Sequence, residues 1–269
     1  MTAVRALTPQ RFRHAIWELS ARDRDLARIC EEHGAPVLRT RPSGFPALLR
    51  IIVEQQLSVA SARAIWGRLE GMLGEVTPAR LVGFDDVRLR SAGLSRPKVL
   101  YARGLADAVM SGDLDSGRLA ELDDEAAIEA LVRVKGIGRW TAEIYLLSAL
   151  GRPDVWPVDD LAIATATGRV KGLAERPARA ELLEIGEAWR PWRSVAARML
   201  WHYFRSAVMK PGTGAYDAQP KATSTRTPGR ATPRKRVPTA KGARLRMRPA
   251  ARRKRTKSGG NAKLGKNRR

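Results

Sequence analysis

The sequence predicts an all-α fold with a basic appendage, on three observations. Apolar residues recur every three or four positions through the first 209 residues, and no region sustains period-two alternation. Capping residues stand directly before proline or before the first apolar-periodic residue at several points. Beyond Lys210 both signals vanish into Thr, Pro, Ala, Gly, Lys and Arg.

Each helix has its own signal. Thr8-Pro9 starts the first, with Phe12, Ile16 and Leu19 at helical spacing. "RPSGFPALLRIIVEQQLSVASARAIWGRLEGMLG" holds a turn and then a long stretch dense enough for a buried helix, with a break near Ser58. Thr77-Pro78 opens a short helix, and "SRPKVLYARGLADAVMSG" gives one that stops at Gly112. "DDEAAIEALVRV" opens with acids, which suit a helix N-terminus. "GRWTAEIYLLSALG" predicts a helix ending at Gly151, with Pro153 beyond it. "DDLAIATATGRV" follows, and "RPARAELLEIGEAWRPWRSVAARMLWHYFRSAV" completes the set with a break at Pro191.

Charge divides the chain in two. The net charge is +23, yet residues 210–269 hold 20 Lys and Arg against one acid, Asp217, which leaves the first 209 residues at only +4. The expected organisation is therefore a helical body over 1–209 and a disordered basic tail over 210–269. So few large apolar residues cannot fold a tail on their own. It reads as a nucleic-acid-binding segment, with a solubility tag as the plainer alternative. A single cysteine, Cys30, excludes an internal disulfide and a four-cysteine iron–sulfur cluster. His14, His33 and His202 lack metal-ligand spacing. The N-terminus lacks the apolar core of a signal peptide and no apolar run approaches the length of a membrane span, so a soluble, intracellular protein is expected.

Four groups of residues carry chemistry. "VKGIG", within a hairpin at 134–139, sets a Gly-x-Gly turn between two helices. Such a turn exposes backbone N–H groups beside the positive end of the second helix, a cradle for a DNA phosphate. Ile137 would point inward and Arg139 would add a charged contact, although the same pattern also serves as a plain turn. Asp159 and Asp160 precede a helix start, 19 and 20 residues after Trp140. Aspartate there is an ordinary N-cap. It also suits a carboxylate that stabilises positive charge on a sugar or activates water. Trp189, Trp192 and Trp201, with Trp140, are candidates either for core packing or for a pocket that stacks on a flat ring. Gln55 and Gln56 interrupt an apolar helix, either at an exposed turn or at a ligand.

Taken in order, these groups resemble the helix–hairpin–helix DNA glycosylase superfamily, in its DNA-3-methyladenine glycosylase II branch, over roughly residues 20–208. "IVEQQLSV" is similar to the family's DNA-wedge segment, "VKGIGRWTAE" to its hairpin, "PVDD" before "LAI" to the loop of its essential aspartate, and "WRPWRSVAARMLW" to its C-terminal signature. The resemblance implies a two-lobed helical body and a monofunctional enzyme that flips out and hydrolytically removes alkylated purines such as 3-methyladenine and 7-methylguanine. It makes Asp160 the catalytic residue, with Asp159 as the fallback, and puts Trp140 and Trp201 at the base pocket. Gln56, Gly136, Ile137, Gly138 and Arg139 become the DNA contacts. Trp140 stands where bifunctional members carry lysine, so no Schiff base is expected. The implied partner is double-stranded DNA with alkylated bases, the implied state a monomer without metal or organic cofactor, and the implied location the cytoplasm at the nucleoid. About 40 residues precede "GFPALL", too few for the N-terminal β-domain of some members, so that domain is absent or is replaced by a helix such as "TPQRFRHAIWELSARD". Two other readings stay open: a glycosylase of this fold for another damaged or mispaired base, and a non-catalytic architectural DNA-binding protein.

The charge division makes a testable statement. Truncation after Lys210 should flatten the salt dependence of duplex binding by several phosphate contacts, at about 0.9 per phosphate in the log–log slope. The single-turnover rate of base release at saturating protein should stay unchanged. A truncated chain that lost the rate and kept the slope would put the tail inside the fold.

Overall fold

The computed structural model describes residues 6–209. Helices α1 (Pro9–Arg22) and α2 (Arg24–His33) open the chain. An extended segment leads to α3 (Phe45–Glu54) and α4 (Val59–Leu73). Next come α5 (Pro78–Val82), α6 (Asp86–Ser91), α7 (Arg96–Ser111), α8 (Ser116–Glu121) and α9 (Asp124–Val132). Then α10 (Arg139–Ser148), α11 (Leu161–Val170), α12 (Arg179–Glu187) and α13 (Arg193–Tyr203) follow, with a π-helical turn over Phe204–Val208. No strand occurs among the described residues. The expected tail, 210–269, lies outside them.

The starts are local chemistry. Thr8, Thr77 and Ser95 each accept a hydrogen bond from the backbone N–H three residues on, with proline in the first turn. The break near Ser58 is present: α3 stops at Glu54, and Ser58 caps α4 by accepting from Ser61 N. The helix that the sequence carries to Gly151 ends three residues earlier, because Gly151 turns to positive φ and its carbonyl accepts from Leu7 N. Helices α2, α6 and α8 had no expectation. Two of them are six residues long, and α2 buries only Leu26 and Ile29.

Packing sorts the helices into two lobes. In one, α3 packs on α4, α7 and α10, α5 packs on α7, and α9 packs on α10. Seven of the ten residues of α3 are buried, which makes it the centre of that lobe. In the other, α13 packs against α1, α2 and α11. Trp192 and Trp189 are buried there, their indole N–H groups donating to Glu18 and Asp23 at 2.6 and 2.8 Å. These two tryptophans therefore serve the core, which corrects their candidacy for a pocket. No N-terminal β-domain is present among the described residues, and α1 instead packs on the C-terminal helices. One buried arginine joins the lobes and another holds the end of α8. Arg198 donates to Arg39 O and Leu147 O, while Arg152 donates to three carbonyls at the end of α8. Burial, with Arg41 nearby, brings the Arg198 guanidinium down to about 10.

An ion cluster clamps the α9–α10 hairpin. Arg139 donates two hydrogen bonds to Glu125, at 2.6 and 2.8 Å, and one to Glu143 at 3.0 Å. Glu143 is buried, and its Oε2 has no hydrogen-bond partner among the described residues. Burial lifts its carboxyl to about 7, against the opposite pull of Arg139. The folded chain thus holds a proton between pH 4.5 and 7 that the unfolded chain has released. Stability from this group is full below the lower value and is lost as pH rises through the upper one. Thermal unfolding from pH 5 to 8 should accordingly show a smaller loss of Tm for Glu143→Gln than for the wild type. Parallel curves would show that Glu143 is ionised throughout.

Candidate active site

Three helices bring one carboxylate and two indoles together. Asp160 is the N-cap of α11, and its Oδ1 accepts from Ile163 N at 2.9 Å. Its Oδ2 accepts from Trp140 Nε1 at 3.0 Å, and Oδ1 accepts again from Trp201 Nε1 at 3.1 Å. Trp140 is the second residue of α10, and Trp201 lies near the end of α13. Every group bonded to this carboxylate is a donor, and it sits at the positive end of a helix. The side chain is 8% exposed, and that remainder opens on a cleft of about 450 Å³. Asp159 takes the other direction: it is exposed and pairs with Arg179 at 3.0 Å. Of the adjacent aspartates, Asp160 alone lines the cleft.

The cleft lies between the lobes. Ile51 of α3, Ile144 and Leu147 of α10 and Val37 of the α2–α3 segment give it an apolar wall. Arg39, Arg41, Arg198 and Arg205 stand around it, with Glu54 as the second carboxylate. None of these was singled out from sequence. Ile51, Ile144 and Leu147 read as core residues of their helices, and no local pattern marks which core residues border an opening.

The hairpin turn forms a second groove beside Gln55 and Gln56. Gly136 has φ of +94°, and a Cβ there would lie 2.2 Å from Cγ of Tyr101. Both facts demand glycine. Ile137 is buried, as expected. Gly138 differs from Gly136: its φ is −89°, and a Cβ would meet nothing within 4 Å. It is the N-cap of α10, and no side chain caps the first N–H groups of that helix. The guanidinium of Arg139 is paired with Glu125 and Glu143.

The two glutamines divide the work. Gln55 Nε2 donates to Gly136 O at 3.2 Å and to Thr141 Oγ1 at 2.8 Å, tying the α3–α4 turn to the hairpin. Lys98 supports that turn by donating to Val53 O and Gln55 O, both at 2.7 Å. Gln56 is exposed, with φ of +55°, the one non-glycine residue at positive φ among the described residues. The turn thus presents a single polar side chain outward from a strained position.

Residues 49–191 match the model of the HhH-GPD superfamily of base excision DNA repair proteins. The chain belongs to this family. It is 34% identical over 161 residues to DNA-3-methyladenine glycosylase 1 of Schizosaccharomyces pombe, covering 58% of this chain and 71% of that protein. The fold superposes on a 3-methyladenine DNA glycosylase of the same yeast in complex with abasic DNA, at a TM-score of 0.67 and 31% identity over 74% of this chain and all of the other. A DNA-3-methyladenine glycosidase from Bacillus halodurans gives 0.64 and 35%, over 73% and 91% of the two chains. An HhH-GPD fold therefore accounts for the two lobes, the hairpin and the cleft between them.

The two hairpin glycines should respond differently to alanine. Gly136→Ala should cost at least about 1 kcal/mol of stability, since it combines a left-handed φ with the Tyr101 ring. Gly138→Ala should cost clearly less in thermal unfolding and still weaken duplex binding, because its methyl enters the space before the α10 N–H groups. Equal losses of Tm would contradict the assignment.

Proposed function

We propose that this protein is a monofunctional DNA glycosylase of base excision repair. It hydrolyses the N-glycosyl bond of alkylated purines, such as 3-methyladenine and 7-methylguanine, in double-stranded DNA. The observation that carries the reading is the Asp160 carboxylate, fixed by two indole N–H groups and a helix N-terminus at the wall of a cleft. A protein that only bound DNA would gain nothing from a buried carboxylate turned towards phosphate.

The chemistry follows from the residues. The hairpin grips the backbone through the free N–H groups of α10, and Gln56 enters the space that a flipped nucleotide leaves. The extruded purine enters the cleft against Trp140 and Trp201. The bond between C1′ and the purine nitrogen breaks, and its electron pair leaves on the base, which neutralises an alkylated ring. Asp160 stabilises the positive charge that builds on the sugar. The oxygen of water then bonds to C1′, and its proton passes to the carboxylate. The products are a free base and an abasic site. No lysine lines this cleft among the described residues, which supports base release without a Schiff base. The scheme calls for no metal or organic cofactor. It assigns the chemistry to the body, 1–209, and to residues 210–269 the role of a tether on DNA at the nucleoid.

One observation favours a second substrate class. Arg39 and Arg205 line the cleft without an ionic partner among the described residues. Fixed positive charge favours a neutral, electron-rich ring over a cation. A neutral lesion such as hypoxanthine is the competing substrate.

Methylated and hypoxanthine-containing duplexes, incubated with the protein and assayed for free base, decide between them. Asp160→Asn should lower the single-turnover rate by about 100-fold or more and leave duplex binding intact or tighter. Asparagine keeps the cap but presents one acceptor where the indoles need two, so thermal unfolding is measured alongside. Full activity in this variant would refute the mechanism.

A further inference from the structure

A second basic groove borders the α3–α4 turn and shares no lining residue with the hairpin groove. Its volume is about 320 Å³, and Arg39, Arg41, Arg50 and Arg63 line it with one acid, Glu54. The four arginines come from three places: the α2–α3 segment, the last turns of α3 and the second turn of α4.

The charges within it are unevenly committed. Arg41 Nη2 donates to both oxygens of Glu54, at 3.1 and 2.8 Å, and Arg50 Nε donates to Glu54 Oε1 at 3.1 Å. The Arg50 guanidinium also sits 5.4 Å from the centre of the Trp66 ring. Glu54 thus serves two arginines and neutralises only one charge. Arg39 and Arg63 are exposed and have no ionic partner among the described residues. The Nη1 of Arg41 is buried and likewise has no partner among them. Four guanidinium groups around one carboxylate leave an excess of about three positive charges, which folding by itself does not call for.

The position of the groove says what such an excess is for. It shares Arg39, Arg41, Glu54 and Val59 with the Asp160 cleft, and Leu57 joins it to the turn that carries Gln56. The α3–α4 turn therefore borders two places suited to anions, the hairpin groove through Gln55 and Gln56 and this groove through Leu57. Guanidinium groups recognise phosphate by paired hydrogen bonds.

We propose that the arginine groove binds a backbone phosphate of the duplex, at a point separate from the hairpin groove. It would clamp the DNA at two points about the wedge, independently of whether the base is damaged. The inference rests on the glycosylase reading for its ligand, but it makes no use of the chemistry. The free groups Arg39 and Arg63 make the contact, and the Glu54-bound pair holds the wall.

The test uses the full chain and an undamaged duplex. Arg39→Ala/Arg63→Ala removes two exposed side chains, and Arg13→Ala/Arg24→Ala removes two exposed arginines of the α1–α2 region as a charge-matched control. The groove variant should lower the salt slope of duplex binding by about 0.9, the value for one phosphate, and the control should leave it nearly unchanged. Thermal unfolding should match the wild type in both. An equal fall of slope in both variants would reduce the effect to general charge and overturn the proposal. So would an unchanged slope accompanied by lost binding of inorganic phosphate, which marks a site for the free ion. A groove variant that kept the slope and lost the rate would assign the arginines to the flipped nucleotide instead. Base release from methylated DNA by the wild type is scored separately, so failure of the glycosylase reading leaves the slope measurement standing.

Discussion

The Asp160 carboxylate is the point on which the site depends, because three helices from two lobes converge on its two oxygens. Its backbone belongs to the start of α11, one indole comes from the start of α10 and the other from the end of α13. A carboxylate accepting three N–H bonds is fixed in orientation, and each bond also fixes its donor. The same contacts thus orient the charge and set the spacing of the helices that form the cleft. The acid is thereby held without an arginine or lysine partner, which would neutralise its charge.

Keeping that cleft open requires structure elsewhere. Helices α1 and α2 pack on α13 and hold it through Glu18 and Asp23, which accept from Trp192 and Trp189. Arg198 closes the far side by donating to Arg39 O and to Leu147 O at the end of α10. A buried guanidinium is costly unless its N–H groups find acceptors, so it is a strong constraint on where those carbonyls lie. The chain spends two tryptophans and an arginine on placing α13, and with it Trp201.

The hairpin is held in a similar way from below. Tyr101 of α7 lies where a side chain at position 136 would be, and Gln55 ties the Gly136 carbonyl to Thr141. Lys98, one turn before Tyr101, secures the carbonyls that end α3. Hairpin and wedge turn are consequently one assembly, supported by α7. The Arg139 clamp completes it on the outer face, at the expense of a cation otherwise free to meet phosphate.

What the sequence determined by itself was local. Caps and prolines act within one turn, so the starts at Thr8, Thr77 and Ser95 were legible, as was the break at Ser58. The order of wedge, hairpin, aspartate and C-terminal signature was legible too, because each is a short run with its own geometry. Short helices such as α6 and α8 were not, since six residues carry too little periodicity to register. Only the tertiary structure decided the rest. It showed which way each aspartate faces from one cap-like context, Asp160 to the cleft and Asp159 to Arg179. It showed what each indole meets, Asp160 for Trp140 and Trp201, Asp23 for Trp189 and Glu18 for Trp192. It set Gln55 on the hairpin and Gln56 at positive φ, gave the two hairpin glycines different reasons, and gathered Arg39, Arg41, Arg50 and Arg63 into one groove. The physical reason is the same throughout: a side chain's role is set by what lies across space from it, and contacts between residues far apart in sequence leave no local periodicity to read.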